Sequence, residues 1–411
     1  MLAAAVLGLA AAGCGSGGPA SGTGATPQPA PGHAVGGGPG RQPGPGGSDG
    51  HGRAVGLPGA GSPGAGSAAG GPVLTRFCPQ PPGPELQAAL RHPVPVSLRG
   101  ETVPLGLSAS GRAAYVSTWQ PGFAGVAVLD LATGRLRPIQ RYQHPAVDQA
   151  DGAASGRWLV WEQTRSLQSL DGFTVYAWDS VTGRVRALGH SLAGPDGTPW
   201  PSPWRPPAVS GHWAAWAQGY GPGGLVQVRL ADLATGRVRV IRQGHTQAPF
   251  FDGSLVVWPE SGRPGAQTTL NAMDLRTGRP AALPAVLRPV HGTDFVATDG
   301  TRTAYLNPGL TALYYSPAQD QPAREVLRLP DGTDFASLAI SPGSLAWATT
   351  EATYVASTAT GGFAKVTREY GVATGSPSGL LISDGPAAKS AHPVLPLHVL
   401  APAAVRQPAC G

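Results

Sequence analysis

The sequence predicts an all-β chain: a β-propeller of four-stranded blades, seven or alternatively six, behind a disordered Gly/Pro-rich tether. Three observations predict it. Composition breaks near residue 73, an Asp-x-x-Thr-Gly-Arg hexapeptide recurs four times, and a Gly followed by a short apolar run ending in an aromatic residue recurs at a matching interval. Of 411 residues, 61 are Gly and 44 are Pro, and only 13% are charged. That is about half the usual ~25% charged residues, which excludes coiled coils, helical bundles and charge-driven disorder.

Taken in chain order, residues 1–14 are an apolar run of small side chains ending Ala11-Ala12-Gly13-Cys14. A run this short suits a signal-peptide core and cannot span a bilayer. Its end resembles the lipobox of bacterial lipoproteins. The resemblance implies export, cleavage before Cys14 and lipidation of that cysteine, so the membrane is contacted through the anchor alone and the body is extracytoplasmic. Residues 15–73 contain 22 Gly, 10 Pro and no aromatic residue. Such a segment has too little apolar surface to fold and reads as a linker with an r.m.s. reach of ~40 Å. Residues 74–411 hold every Trp, Tyr and Phe and are expected to form the folded domain. Beyond Cys14 the chain has two cysteines, Cys78 and Cys410. In an oxidising compartment an even pair is expected as a disulfide rather than as free thiols. Clustered His and Cys are missing, so no metal site and no cofactor are expected.

The hexapeptides start at Asp130, Asp179, Asp232 and Asp274, and their glycines are Gly134, Gly183, Gly236 and Gly278. Each sits between runs of alternating polarity such as Val226-Gln-Val-Arg229 and Val238-Arg-Val-Ile241, the pattern of a β-hairpin. Asp can accept the N–H groups ahead of it, and Gly can take the positive φ that closes the turn. The repeat therefore reads as a turn device. A degenerate unit is expected over 293–330, with strands at Ala312–Tyr315 and Glu325–Arg328, before Thr360-Gly361 resumes the pattern. The aromatic landmarks are Tyr115, Trp161, Trp216, Trp258, Tyr305 and Trp347, expected in second strands and packed between sheets. A last blade over 372–402 needs a fourth strand, which Pro93–Leu98 can supply. Cys78 and Cys410 would flank that closure.

Periods of 40–50 residues with an aromatic landmark mean a propeller. The segments Ser108–Ser117 and Leu129–Arg135 resemble the WD40-like repeats of the TolB and YncE-type propeller families, over residues ~94–407. The resemblance implies a fold and little about activity, because propellers host unrelated functions.

In a blade the A–B and C–D turns share one face, and the B–C and D–A loops share the other. Here the first set is short and uniform, while the second includes Glu162–Gly172, Pro259–Thr268, Asp384–Pro396 and His190–Pro207. Long variable loops on a rigid scaffold mark the B–C/D–A face as the working surface. The longest holds Trp200, Trp204 and Arg205. It reads either as a recognition element for a protein or cell-wall glycan, or as aromatic cover over the junction between the second and third repeats. His245, His291, Asp294 and Asp334 lie at or before expected inner strands and are the nameable catalytic candidates at the channel mouth. Residues 74–411 contain no nucleophile-elbow, zincin or P-loop motif, which lowers the expectation of an enzyme. The charge of +6 comes almost entirely from Arg. Nucleic acid is not expected as a partner for an exported chain, and a monomer is expected.

Overall fold

The computed structural model describes residues 76–94, 101–145, 148–165, 172–201, 205–293, 295–384 and 396–410. Cys14, the 15–73 linker, Trp204 and Asp294 lie outside the described residues, as do residues 95–98 of the expected closing strand.

The body is a succession of antiparallel sheets in chain order. The first is β2 (Thr102–Leu107), β3 (Ala113–Gln120), β4 (Phe123–Asp130) and β5 (Leu136–Arg141). The second is β6 (Gln149–Ser155), β7 (Trp158–Thr164), β8 (Thr174–Asp179) and β9 (Val185–His190). The third is β10 (Ala208–Ser210), β11 (Trp213–Gly221), β12 (Leu225–Asp232) and β13 (Arg237–Thr246). It runs on into β14 (Phe250–Asp252), β15 (Leu255–Ser261) and β16 (Thr269–Asp274), because the end of β13 pairs with β15. There follow β17 (Val296–Thr298), β18 (Thr303–Leu306), β19 (Ala312–Ser316) and β20 (Arg324–Arg328). The expected degenerate unit is thus a four-stranded sheet with β19 and β20 where the sequence places them. Then come β21 (Phe335–Ser341), β22 (Ser344–Thr349), β23 (Thr353–Ser357) and β24 (Gly362–Lys365), and finally β25 (Val372–Ser376), β26 (Gly379–Ser383) and β27 (Leu397–Leu400). The first strand of each unit touches the first strand of the next, from β2 through β6, β10, β14, β17 and β21 to β25, and β25 returns to β2. A cyclic array of radial sheets around a ring of inner strands is a β-propeller.

The recurring hexapeptide is the turn between third and fourth strands. Asp130 Oδ1 accepts the N–H groups of Ala132 (3.1 Å) and Thr133 (2.8 Å) and the Thr133 hydroxyl (2.8 Å). These bonds favour the carboxylate and hold the Asp130 carboxyl below its ordinary range. Gly134 takes φ +69° and donates to Asp130 O, and Gly183, Gly236 and Gly278 repeat both features. One more bond puts the two short turn sets on one face. Leu131 donates to Arg112 O, Ser180 to Arg157 O and Leu233 to His212 O, each from a C–D turn to its own A–B turn.

The landmark aromatics fill the gaps between sheets. Trp216 packs with Trp158, Val160 and Phe173 of the preceding sheet, and Trp347 with Leu313 and Tyr315. All six are at most 8% exposed, which settles them as core. The junction between last and first sheets is packed in the same way, with Leu381 and Leu397 against Leu107 and Ala114. Within the expected closing strand, Val94 N–H donates to Leu397 O at 2.8 Å and its side chain packs on that cluster.

The two ends of the body do not meet where the sequence places them. Cys78 and Cys410 are disulfide-bonded, with Cα atoms 5.8 Å apart. The bond lies one sheet away from the ring junction. Cys78 and Pro79 (β1) add in parallel to the outer edge of β24. Cys78 N–H donates to Gly361 O and Cys410 N–H to Thr360 O, so both cysteines hang on one C–D turn. An unforeseen helix, α1 (Pro84–Arg91), starts with Pro at its first position, where no N–H is needed. It buries Leu86 between the last two sheets, against Ala346, Leu380, Leu400 and Val405.

Candidate functional site

The inner strands begin at the D–A end of the ring, and four side chains from four different sheets gather there. Asp151 is the third residue of β6. Arg205 stands three residues before β10, Phe295 directly before β17 and Tyr370 two before β25. The Arg205 guanidinium lies over the Phe295 ring at 3.3 Å from its centroid, a cation–π stack. Asp151 and Tyr370 are close enough for their charges to act on each other and for both to feel Arg205.

The electrostatics follow from this crowding. Asp151 is exposed as a residue, yet burial pushes its carboxyl above the ordinary carboxylate range, with Gly152 N–H and Arg205 pulling back. A carboxylate that faces open space while walled in by inner strands has both properties. Burial raises the Tyr370 phenol, the Asp151 charge raises it further, and Arg205 opposes both.

Beside this cluster, the D–A connection into β6 carries His144 and Asp148. Asp148 is buried and its Oδ2 accepts His144 N–H (2.9 Å) and Gln163 Nε2 (3.0 Å). Its Oδ1 faces the half-exposed His144 ring at 3.6 Å from Nδ1. With Asp148 N–H donating in return to His144 O, this is a closed turn.

The sequence-derived candidates divide. Arg205 reaches the mouth. Trp200 does not project from its loop; Leu192–Trp200 forms a small hairpin closed by Trp200 N–H to Leu192 O (2.7 Å), and Trp200 is half-buried. That hairpin is seated on the far end of β11, where Gly219 N–H donates to Pro201 O. His245 stands five residues before the inner strand β14. It belongs to the outer strand β13, which runs to ten residues and pairs His245 with Ser261. His291 is exposed and bridges to Thr269, while Thr269 pairs with Glu260 of β15. Three inter-strand spacings therefore separate the two histidines, about 14 Å, and they do not converge. Asp334 is exposed, immediately before β21. Among the described residues no three His, Cys, Asp or Glu side chains form a metal-binding group.

Sequence reasoning missed Asp151, Phe295 and Tyr370 as members of the site. A signal for one existed in the repeated Gly-Thr-Asp-Phe. Its Phe is the informative member, at the mouth as Phe295 and fully buried in the core as Phe335.

The raised Asp151 carboxyl has a measurable consequence. Because its folded-state value lies above its unfolded one, its contribution to stability is fully present below the unfolded value near 3.8 and is lost as pH rises through the folded value. Asp151→Asn is therefore expected to gain on the wild type in melting temperature between pH 4 and pH 7.5. A constant difference across that range would mean that the carboxyl titrates normally.

No protein-family model matches the chain, and no curated protein matches it. Solved structures do, at low similarity. TolB from Acinetobacter baumannii is 14% identical, with 65% of this chain covering 63% of that one at a TM-score of 0.39. An oligogalacturonate lyase from Vibrio parahaemolyticus is 12% identical over 74% of this chain and 92% of that chain, at a TM-score of 0.49. The β-propeller domain of the Trilobed protease from Pyrococcus furiosus is 11% identical over 61% and 92%, at a TM-score of 0.37. This chain is similar to proteins of several activities, at a level from which no activity is carried over.

Proposed function

We propose that this chain is a membrane-tethered, extracytoplasmic propeller that binds a protein or a cell-wall glycan through its B–C/D–A face. The observation that carries the reading is the convergence of Asp151, Arg205, Phe295 and Tyr370 from four sheets on one mouth. A planar cation on an aromatic ring, a carboxyl and a phenol offer stacking together with donors and acceptors, the makings of a recognition site for a polar partner. The Cys78–Cys410 disulfide supports an oxidising compartment. Lipidation at Cys14 and a linker over 15–73 complete the reading, with the propeller over 74–411.

The test is capture from envelope extract by the full chain. Arg205→Ala is expected to lower recovery of a specific partner at least tenfold, and Trp200→Ala with Trp204→Ala to lower it less, since Trp200 is half-buried. Recovery unchanged by Arg205→Ala would remove the mouth from the binding surface. A second reading, a hydrolase or lyase at the same mouth, is favoured by one feature: a carboxyl raised above its ordinary range is suited to holding a proton for general acid catalysis.

A further inference from the structure

We infer that the opposite face, built from the A–B and C–D turns, docks on an anionic phospholipid bilayer. The turn itself needs Asp, Thr and Gly, and those residues account for its hydrogen bonds. It has no need of the Arg that follows each Gly. Yet Arg135, Arg184, Arg237 and Arg279 occupy that position in the first four repeats, and all are exposed. Each turn's carboxylate (Asp130, Asp179, Asp232 and Asp274) offsets one of these charges, but Arg112, Arg157, Arg239 and Arg276 are also exposed on or beside the same turns and leave the arc net positive. Arg184 and Arg237 have no side-chain hydrogen bond or ion pair among the described residues. Two residues on, along the same side of the outer strand, exposed Arg239 leans onto the Gly278 turn of the following repeat and extends the positive arc between units, whereas Arg186, which reaches the Gly236 turn, is half-buried and stacked on Trp158.

Three features favour a bilayer over a flexible polyanion. The four turns are equal in length and each is bonded down to its A–B turn, so every tip is held at the same place on its own unit. Val181, at the tip of the second turn, is 70% exposed, the most exposed large hydrophobic residue described. An apolar tip amid cations suits the headgroup boundary. Finally, Cys78, near the start of the described residues, is bonded to the Thr360-Gly361 turn on this face. Docking here would turn the mouth away from the membrane, whatever partner the mouth takes.

The test uses the full chain, purified without acylation, and sedimentation with phosphatidylcholine vesicles with or without phosphatidylglycerol. Sedimentation is expected to rise on the anionic vesicles and to fall when salt shortens the Debye length to ~3 Å. Arg184→Ala with Arg237→Ala is expected to lower anionic-vesicle partitioning ~30-fold, about fivefold per arginine near the surface. The corresponding Gln pair should do the same if charge is responsible. Arg141→Ala, on β5 but at the opposite face, should leave partitioning unchanged. The apolar N-terminal residues are common to every sample and cancel in the comparison. Equal sedimentation with both vesicle types, or no effect of the double substitution, overturns the inference. So does capture on immobilised polyphosphate without vesicle sedimentation, which would make the occupant a linear polyanion.

Discussion

Gly375→Ala is expected to lower the melting temperature by about 4–6 °C, the equivalent of about 3–4 kcal/mol in a body of this size. Gly375 is in β25, and its backbone faces β21 so closely that an added Cβ would sit 1.9 Å from Ile340 O and 2.8 Å from its carbonyl carbon. Both obstacles are main chain of an inner strand, which cannot rotate away as a side chain can. The two strands must separate, and in a closed ring a separation at one junction has to be absorbed by the others. Gly122 provides the comparison. It holds φ +82° with nothing within 4 Å of an added Cβ, so Gly122→Ala meets only the left-handed backbone penalty of about 1–2 kcal/mol. Thermal unfolding of both variants separates crowding at the ring from ordinary turn strain. Equal losses would show that the inner strands have room to move.

That junction was not legible in the sequence, and the reason is general to this fold. Turns and aromatic landmarks could be read because each is a local device. The Asp that accepts three bonds, and the Gly that closes the turn, lie within five residues of each other. The second-strand aromatic likewise has the same environment in each repeat, so repetition revealed it. The mouth repeats nothing. Asp151, Arg205, Phe295 and Tyr370 come from four units, and no spacing in the chain relates them. Two copies of Gly-Thr-Asp-Phe even diverge, one Phe stacking on Arg205 and the other sealed in the core. The place of His245 on an outer strand is illegible for a related reason. Alternation identifies a strand but not its length, and β13 continues past its own sheet to pair with β15. The helix α1 carried an N-terminal Pro and apolar residues at Leu86, Ala89 and Leu90, a signal of a single face too short to stand out.

Cys78→Ser with Cys410→Ser is expected to cost about 3–5 kcal/mol and to lower the melting temperature by about 4–7 °C, because the bond closes a very long loop. The location of the damage discriminates more sharply than its size. A bond across the ring junction would, when lost, loosen β25, β26 and β2 together. The observed bond instead fixes both chain ends to the Thr360-Gly361 turn. The C-terminal segment is pressed onto the same edge, so that a Cβ on Gly362 would lie 2.2 Å from Pro408 O. Loss of the bond should therefore release β1, α1 and the turn at Pro402–Val405 as a unit. Amide exchange should quicken at Gln80, Gln87 and Ala404, whose N–H groups are bonded within this clasp. The ring, closed by Leu381 and Leu397 against Leu107 and Ala114, should keep its protection at Val116 and Leu381. Protection lost at Leu381 as readily as at Gln87 would mean that the disulfide, and not the packed junction, holds the ring closed.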